Sequence, residues 1–441
     1  MITKYLKRKI DIDLLEWKNA ESRKPLILRG ARQVGKSSAV RELGSTFAYF
    51  LEINFENKDD AGAKRVFERH SDPLLICEEL SAIYETPIIA GKTLLFFDEV
   101  QSCPDAISSL RYFYEKMPEL HVIAAGSLLE FALQKIPSFA VGRVRSLYMY
   151  PFSFEEFLQA MERTVLLEKL KKANPQNPLY EEIHRKINEL FLRFIVIGGM
   201  PEVVSKYASG GSLLDCQNIL DELTETFYND FAKYKQRVPA TRLEELFSAI
   251  IAQTGQKFTY AKSITTANQV QIKESIELLK MAGLVYAVTH SSANGLPLAA
   301  ETNHRYRKLM IFDTGIYQRF LRLDMTNLLL EEKIVQINKG ALAEMFVGME
   351  LVKHQNNRLP AELYYWQREK NGSTAEIDYV IQQEQNIVPI EVKAGTKGAM
   401  QSMFLFLAEK QRHYGIRCSM ENFGEFQNIK IYPLYAIGNL M

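Results

Sequence analysis

Cysteine is scarce in this chain of 441 residues, with Cys77, Cys103, Cys216 and Cys418 scattered far apart. No two stand at zinc-ligand spacing, and four are too few for a disulfide framework. A reducing, cytoplasmic setting is the expectation. Long apolar runs are also missing. Tracts such as HVIAAGSLL are strand-length, and none approaches the roughly 18 apolar residues of a membrane span. The N-terminal MITKYLKRKIDIDLLEW mixes both charge signs and lacks the apolar core of a signal peptide, so neither a leader nor a membrane partner is expected. Net charge is nearly absent: 54 Lys+Arg stand against 53 Asp+Glu, leaving +1. That excludes a polybasic binder and leaves a local nucleic-acid site open. The 47% hydrophobic and 24% charged content is ordinary for globular protein, and the length implies about two to four domains.

Four blocks follow one another. Residues 1–150 alternate short apolar runs (PLILR, YFLEINF, TLLFF, HVIAA, SLYMY) with helix-length segments, the pattern of a parallel α/β sheet. Residues 151–240 are helix-rich, open with PFSFEEFL and contain the loop-like KKANPQNPLYEE and the turn GGMPEVV. Residues 241–325 read as three helices and then two strands, LVYAVTH and YRKLMIFD, around SSANGLPL. That is a winged-helix order. Residues 330–441 begin with the helical KGALAEMFVGMELVKH, followed by strands LYYWQ, AEIDYVI and IVPIEVKA.

The strongest motif is Gly30-Ala31-Arg32-Gln33-Val34-Gly35-Lys36-Ser37, a full GxxxxGK[ST], continuing into Ser38. It follows an expected strand and enters an expected helix, the context in which such a loop cradles phosphates. Lys36 is expected on the β- and γ-phosphates and Ser37 on Mg²⁺. Downstream, TLLFF ends in Asp98 and Glu99. Asp98 is expected to hold Mg²⁺ and Glu99 to act as base toward water. YFLEINF lies between the two motifs, which suggests that their strands are not sheet neighbours. Ser127, after HVIAA, could sense the γ-phosphate, and Arg143 or Arg32 could stabilise charge in phosphoryl transfer, in cis or from another subunit. ATP and Mg²⁺ are the expected cofactors.

The C-terminal block suggests a second site. With a two-residue turn at Glu384-Gln385, Asp378 and Glu391 lie opposite each other on one face of a hairpin, and Lys393 lies opposite Glu376. Adjacent carboxylates repel unless a cation stands between them, which argues for a metal held by Glu344, Asp378 and Glu391. Lys393 would orient the nucleophile or stabilise the pentacovalent phosphorus. Helix Glu, strand Asp and Glu-x-Lys is the order of the PD-(D/E)xK nuclease core.

QVQIKESIELLKMAGL, with Ile272, Ile276 and Leu279 at helical spacing, would be the recognition helix and the following hairpin the wing. Residues 241–325 hold ten Lys+Arg against seven Asp+Glu, the most basic block. Lys262, Lys273, Arg305, Arg307 and Lys308 are candidate phosphate contacts. Tyr112, Phe113, Tyr364 and Tyr365 read as core rather than as base-stacking platforms.

GARQVGKS, LLFFDEV, AAGSLLEF, VGRV, YPFSFEEF, GGMPEVV, IFDTGI and EIDYVI…IVPIEVKAG occur together and in order. Along nearly the whole chain this resembles the prokaryotic AAA+-like P-loop ATPases that carry a C-terminal domain of unknown function similar to PD-(D/E)xK nucleases. The family commonly has Pro at Ala31 and Thr at Ser37. The resemblance implies an α/β fold: a P-loop (ASCE/AAA+-like) core, a helical region, a winged helix and a restriction-endonuclease-like α/β domain. The motifs together point to an ATPase coupled to DNA binding or processing, with Mg²⁺-dependent cleavage by the C-terminal domain among the expectations; ATPases of this class often work as rings, so a homo-oligomer is a further expectation. The alternative is an ATP-dependent switch whose nuclease-like domain binds without cutting.

Overall fold

The computed structural model describes residues 5–126, 142–232, 238–260, 267–323, 339–368, 375–395 and 400–440. These form two units. One comprises residues 1–151 with 281–283 and 356–360, and the other the remaining chain.

The first unit holds β1 (Leu26–Arg29), β2 (Tyr49–Asn54), β3 (Thr93–Asp98), β4 (His121–Ala125) and β5 (Arg145–Tyr148), with helices α1 (Ile10–Asn19), α2 (Lys36–Gly44), α3 (Ala61–Arg69), α4 (Pro73–Ile83) and α5 (Pro104–Lys116). All five expected strands are present. They pair in parallel in the order β2-β3-β4-β1-β5. Every residue of β3 and β4 is buried, as a parallel sheet covered on both faces requires. One side of the core is built from Ile27, Leu95, Phe97, Leu110 and Val122. β1 and β3 are indeed not neighbours, but the strand between them is β4, not β2. Sequence order does not give sheet order when crossover helices intervene.

The second unit contains α6 (Phe154–Ala160), α7 (Thr164–Lys172), α8 (Glu181–Ile197), α9 (Pro201–Ala208), α10 (Leu213–Phe231), α11 (Ala240–Ala252), α12 (Gln269–Met281), α13 (Thr314–Phe320), α14 (Lys339–His354) and α15 (Gln401–Lys410). Its strands are β6 (Val285–Ser291), β7 (Thr302–Ile311), β8 (Leu363–Gln367), β9 (Glu376–Gln383), β10 (Asn386–Val392), β11 (Gly415–Ser419), β12 (Gly424–Phe426) and β13 (Ile429–Pro433). They form one eight-stranded mixed sheet, β12-β13-β11-β10-β9-β8-β6-β7. Trp366, Ile377, Phe406 and Leu407 pack together where α15 meets this sheet.

That sheet runs across the expected division near residues 325–330. The hairpin β6–β7, expected as a wing, is joined to the C-terminal strands by parallel pairing of β6 with β8. The expected boundary therefore cuts through one sheet, and the hairpin is not free to project as a wing.

Two motifs act as joints in the second unit. Ser153 and Glu156 of PFSFEEF form a reciprocal capping box at α6, which satisfies donors that a helix start leaves open. Asp313 of IFDTGI is buried and accepts from the amides of Gly315, Ile316 and Gly199 at 2.9, 3.0 and 2.6 Å. At neighbouring Gly198 (φ 74°) a Cβ would lie 2.2 Å from the Asp313 carboxylate, so only glycine fits. Among the described residues, no helix is long and apolar enough to cross a membrane.

Candidate functional site: a P-loop centre and a separate acidic cluster

In the first unit the chain leaves β1 and turns sharply. Gly30 has φ 140°, and a Cβ there would meet the Met149 carbonyl oxygen at 2.1 Å. Gln33 and Gly35 also have positive φ, at 62° and 95°. The loop closes at Gly35, the N-cap of α2, where no side chain caps the helix. The amides of the first turn thus present donors and the positive end of the helix dipole, the elements of a phosphate cradle. Ala31 and Val34 are buried and anchor the loop, Arg32 is half-buried, and Gln33 and Ser38 are exposed.

Lys36 is buried, and its Nζ donates to the carbonyls of Gly30 (2.9 Å) and Ala31 (2.7 Å). Burial lowers its pKa to about 8, against the opposing pull of Glu99 and Asp98, while Arg32 adds to the lowering. Ser37 Oγ donates to Asp98 Oδ2 at 2.7 Å, bringing α2 to the end of β3. Asp98 Oδ1 accepts from the Glu99 amide at 3.0 Å. Burial raises the Asp98 pKa, while the Ser37 hydroxyl opposes that rise. A hydroxyl and a carboxylate, both hard oxygen donors, converge here, and this set fits Mg²⁺.

Glu99 has φ 46°, a left-handed conformation rare for a side chain of this size. Its Oε2 accepts from Gln101 Nε2 at 2.7 Å. Sequence reasoning missed Gln101. Its signal was present, two residues beyond Glu99 in the same DEVQ run. Sequence reasoning also missed Arg8, which is buried and donates to the carbonyls of Val34 (3.1 Å) and Tyr150 (2.6 Å). Arg143 lies near the surface, its Nε 2.6 Å from Glu115 Oε1 on α5. Ser127 lies outside the described residues.

In the second unit the expected hairpin register is found. Asn386 pairs with Gln383 and Ile390 with Tyr379, so Glu384-Gln385 is the turn and Glu391 follows opposite Asp378. The expected metal set does not assemble on it. Lys308, from β7, lies among the acids, with Nζ 2.8 Å from Glu344, 2.5 Å from Glu376 and 3.6 Å from Asp378. Asp378 Oδ2 accepts from the Val392 amide at 2.8 Å. Lys393 Nζ pairs with Glu391 Oε1 at 2.5 Å, while Glu391 Oε2 is buried without a hydrogen-bond partner. Among the described residues, no group of three or more His, Cys, Asp or Glu is placed to hold a metal ion. Lys308 Nζ stands among the acids where the expected set would hold a cation. Glu344 and Asp378 converge on the Lys308 ammonium, and Glu391 pairs with Lys393.

Lys308 was expected on a DNA phosphate, and its burial corrects that. Arg307 is half-buried, bonded to Tyr260 and Glu277, and Lys262 lies outside the described residues. Lys273 and Arg305 are exposed. Phe113 and Tyr365 are core residues, Tyr364 is half-buried and Tyr112 lies at the surface.

Residues 22–158 match the model of an AAA domain. Residues 188–327 and 339–437 match two domains of unknown function, DUF8612 and DUF4143. No curated protein matches the chain. Similar solved structures include the Walker-type ATPase paby2304 of Pyrococcus abyssi, at 16% identity over 72% of this chain and 96% of that one, with a TM-score of 0.47. The Aeropyrum pernix ORC1 protein in complex with DNA matches at 13% identity over 75% and 95%, with a TM-score of 0.26. A STAND protein with a tetratricopeptide repeat sensor from Pyrococcus horikoshii matches at 13% identity over 80% and 46%, with a TM-score of 0.28. The AAA match places an ATPase domain at residues 22–158, and Ser37 and Asp98 meet within it at the end of the P-loop.

Proposed function

We propose that this ATPase hydrolyses Mg-ATP at the P-loop and uses the cycle to control a second unit that binds without cutting. The observation that carries the reading is the Ser37–Asp98 contact of 2.7 Å with Glu99 next in the chain. Lys36 and the loop amides would bind the β- and γ-phosphates. Ser37 and Asp98 would hold Mg²⁺, which when bound neutralises charge on the phosphate oxygens. Glu99, steadied by Gln101, would take a proton from the water attacking the γ-phosphorus as the bond to the bridging oxygen breaks, giving ADP and phosphate. Arg143, near the surface, suits charge stabilisation across a homo-oligomeric ring.

The test is a pair of variants. Lys36→Ala should abolish ATP binding. Glu99→Gln should keep binding and lower kcat by about 10²–10⁴-fold. Wild-type turnover in either sinks the reading, and mass measurement with an ATP analogue tests the ring.

One surface favours DNA as the bound partner. His304, Arg305 and Tyr306 are exposed on edge strand β7, and Lys257 Nζ lies 3.6 Å from the Tyr306 ring centroid. Lys257 and Arg305 thus supply cations beside an aromatic ring. DNA affinity should fall with rising salt and weaken in Arg305→Ala; binding indifferent to both would remove DNA from the reading.

A further inference from the structure

We infer that Lys308 is the built-in cation of the C-terminal acidic cluster, replacing the divalent metal that its carboxylates otherwise call for. The inference deepens the proposal that the second unit binds without cutting.

The arrangement follows from the sheet. Glu376 and Asp378 are two apart on β9 and share a face, and α14 brings Glu344 to them. Tyr379 Oη fixes that helix by donating to the Glu344 carbonyl at 2.8 Å. Lys308 pairs across the hairpin with Val288 on β6, and β6 pairs with β8, which leads to β9. Its side chain passes Tyr365 of β8, with Nζ 5.4 Å from that ring centroid, before it meets the acids. Only 2% of Lys308 is exposed.

Three carboxylates this close require compensation, and a buried lysine requires anions. Each need meets the other here. Burial lowers the Lys308 pKa, but Glu344, Asp378 and Glu376 more than reverse this and hold it above the ordinary lysine range. A Mg²⁺ ion bridging Glu344 and Asp378 would stand about 2.1 Å from an oxygen of each, in the gap where Nζ sits at 2.8 and 3.6 Å. Ammonium and metal exclude one another sterically and by like charge. With Lys308 in place there is no metal to activate water or to neutralise a scissile phosphate. The cluster instead ties β7, β9 and α14 together, so the hairpin β6–β7 belongs to the sheet by ion pairing as well as by its backbone ladder.

The test counts Mn²⁺ sites by electron paramagnetic resonance on full-length protein without nucleotide. All samples carry Asp98→Asn, so that the result does not depend on the P-loop reading. With Lys308 present, the Mn²⁺ count should be the same with and without Asp378→Asn. Lys308→Met should gain one site, and adding Asp378→Asn to it should remove that site. A site that exists with Lys308 present and vanishes with Asp378→Asn or Glu391→Gln overturns the inference. So does a folded Lys308→Met protein that gains no site. The Asp378→Asn comparison decides the matter even if Lys308→Met fails to fold.

Discussion

Arg8 Nη1 donates to the carbonyl oxygen of Val34 at 3.1 Å, across 26 residues of sequence. In a trans peptide the carbonyl and the following N–H point in opposite directions. By holding the Val34 carbonyl on its own side, Arg8 turns the Gly35 N–H away from itself. Arg8 is itself anchored: its amide donates to Asp11 Oδ2 at 2.8 Å, and Tyr5 Oη donates to Asp11 Oδ1 at 2.7 Å. Arg8 is thus a positioning residue for the phosphate cradle.

Arg8→Met keeps the length and removes the donors. A hydrogen bond to a charged group contributes about 1.5–3 kcal/mol, so ATP affinity should fall about tenfold or more while Glu99 chemistry is untouched. Titration with a fluorescent ATP analogue beside single-turnover rates separates the two. A drop in the chemical step with unchanged affinity would contradict the positioning role.

Gln101 should matter to catalysis and not to binding. Its amide holds Glu99 Oε2 at 2.7 Å, and a Cβ at Gly126 would lie 2.0 Å from Gln101 Oε1. Gln101→Ala should lower kcat by about tenfold, the scale of one neutral-to-charged hydrogen bond, with KM for ATP unchanged. Gly126→Ala should reproduce the effect by displacing Gln101. A rise in KM in both would place Gln101 in nucleotide binding instead.

The five strands of the first sheet were legible because buried parallel strands are local apolar runs punctuated by turns. The P-loop and the Asp98-Glu99 pair were legible because each is a short contiguous motif. The hairpin turn at Glu384-Gln385 could be read because register depends on turn length alone. Lys308 could not be read. Its partners lie 36 to 70 residues onward, and nothing in YRKLMIFD separates a buried lysine from the exposed Arg305 three residues earlier. Only the pairing of β6 with β8 reveals it, and parallel pairing leaves no local sequence signal. The same reason hid β4 between β1 and β3. In the last stretch, α15 and β11–β13 were not read at all.

Asp313 should prove structural. Its carboxylate satisfies three amides in a buried site, joining the loop before α9 to the start of α13. Asp313→Ala strands those donors, and lost caps and unsatisfied buried donors each cost about 1–3 kcal/mol. The second unit should lose about 2–4 kcal/mol, read as an earlier thermal or denaturant transition. Unchanged ATP binding would accompany it, because the P-loop lies in the other unit. A variant as stable as wild type would contradict this.

Lys36 gives a pH signature with two opposite signs. In the free protein its pKa is about 8, lowered from 10.5 chiefly by burial. The unfolded chain therefore binds more protons than the folded one between these values, and the stability of the nucleotide-free protein should rise with pH across that window. Bound phosphates favour the ammonium form, so the pKa in the complex is higher than in the free protein. Binding then takes up a proton above about pH 8, and ATP affinity should fall there by up to tenfold per pH unit while staying flat below. Calorimetry at pH 7, 8 and 9, in buffers of different ionisation enthalpy, measures both the affinity and the proton. Affinity that stays level to pH 9.5 with no proton uptake would mean that Lys36 carries its full charge before nucleotide arrives. Its hydrogen bonds to the Gly30 and Ala31 carbonyls would then outweigh its burial.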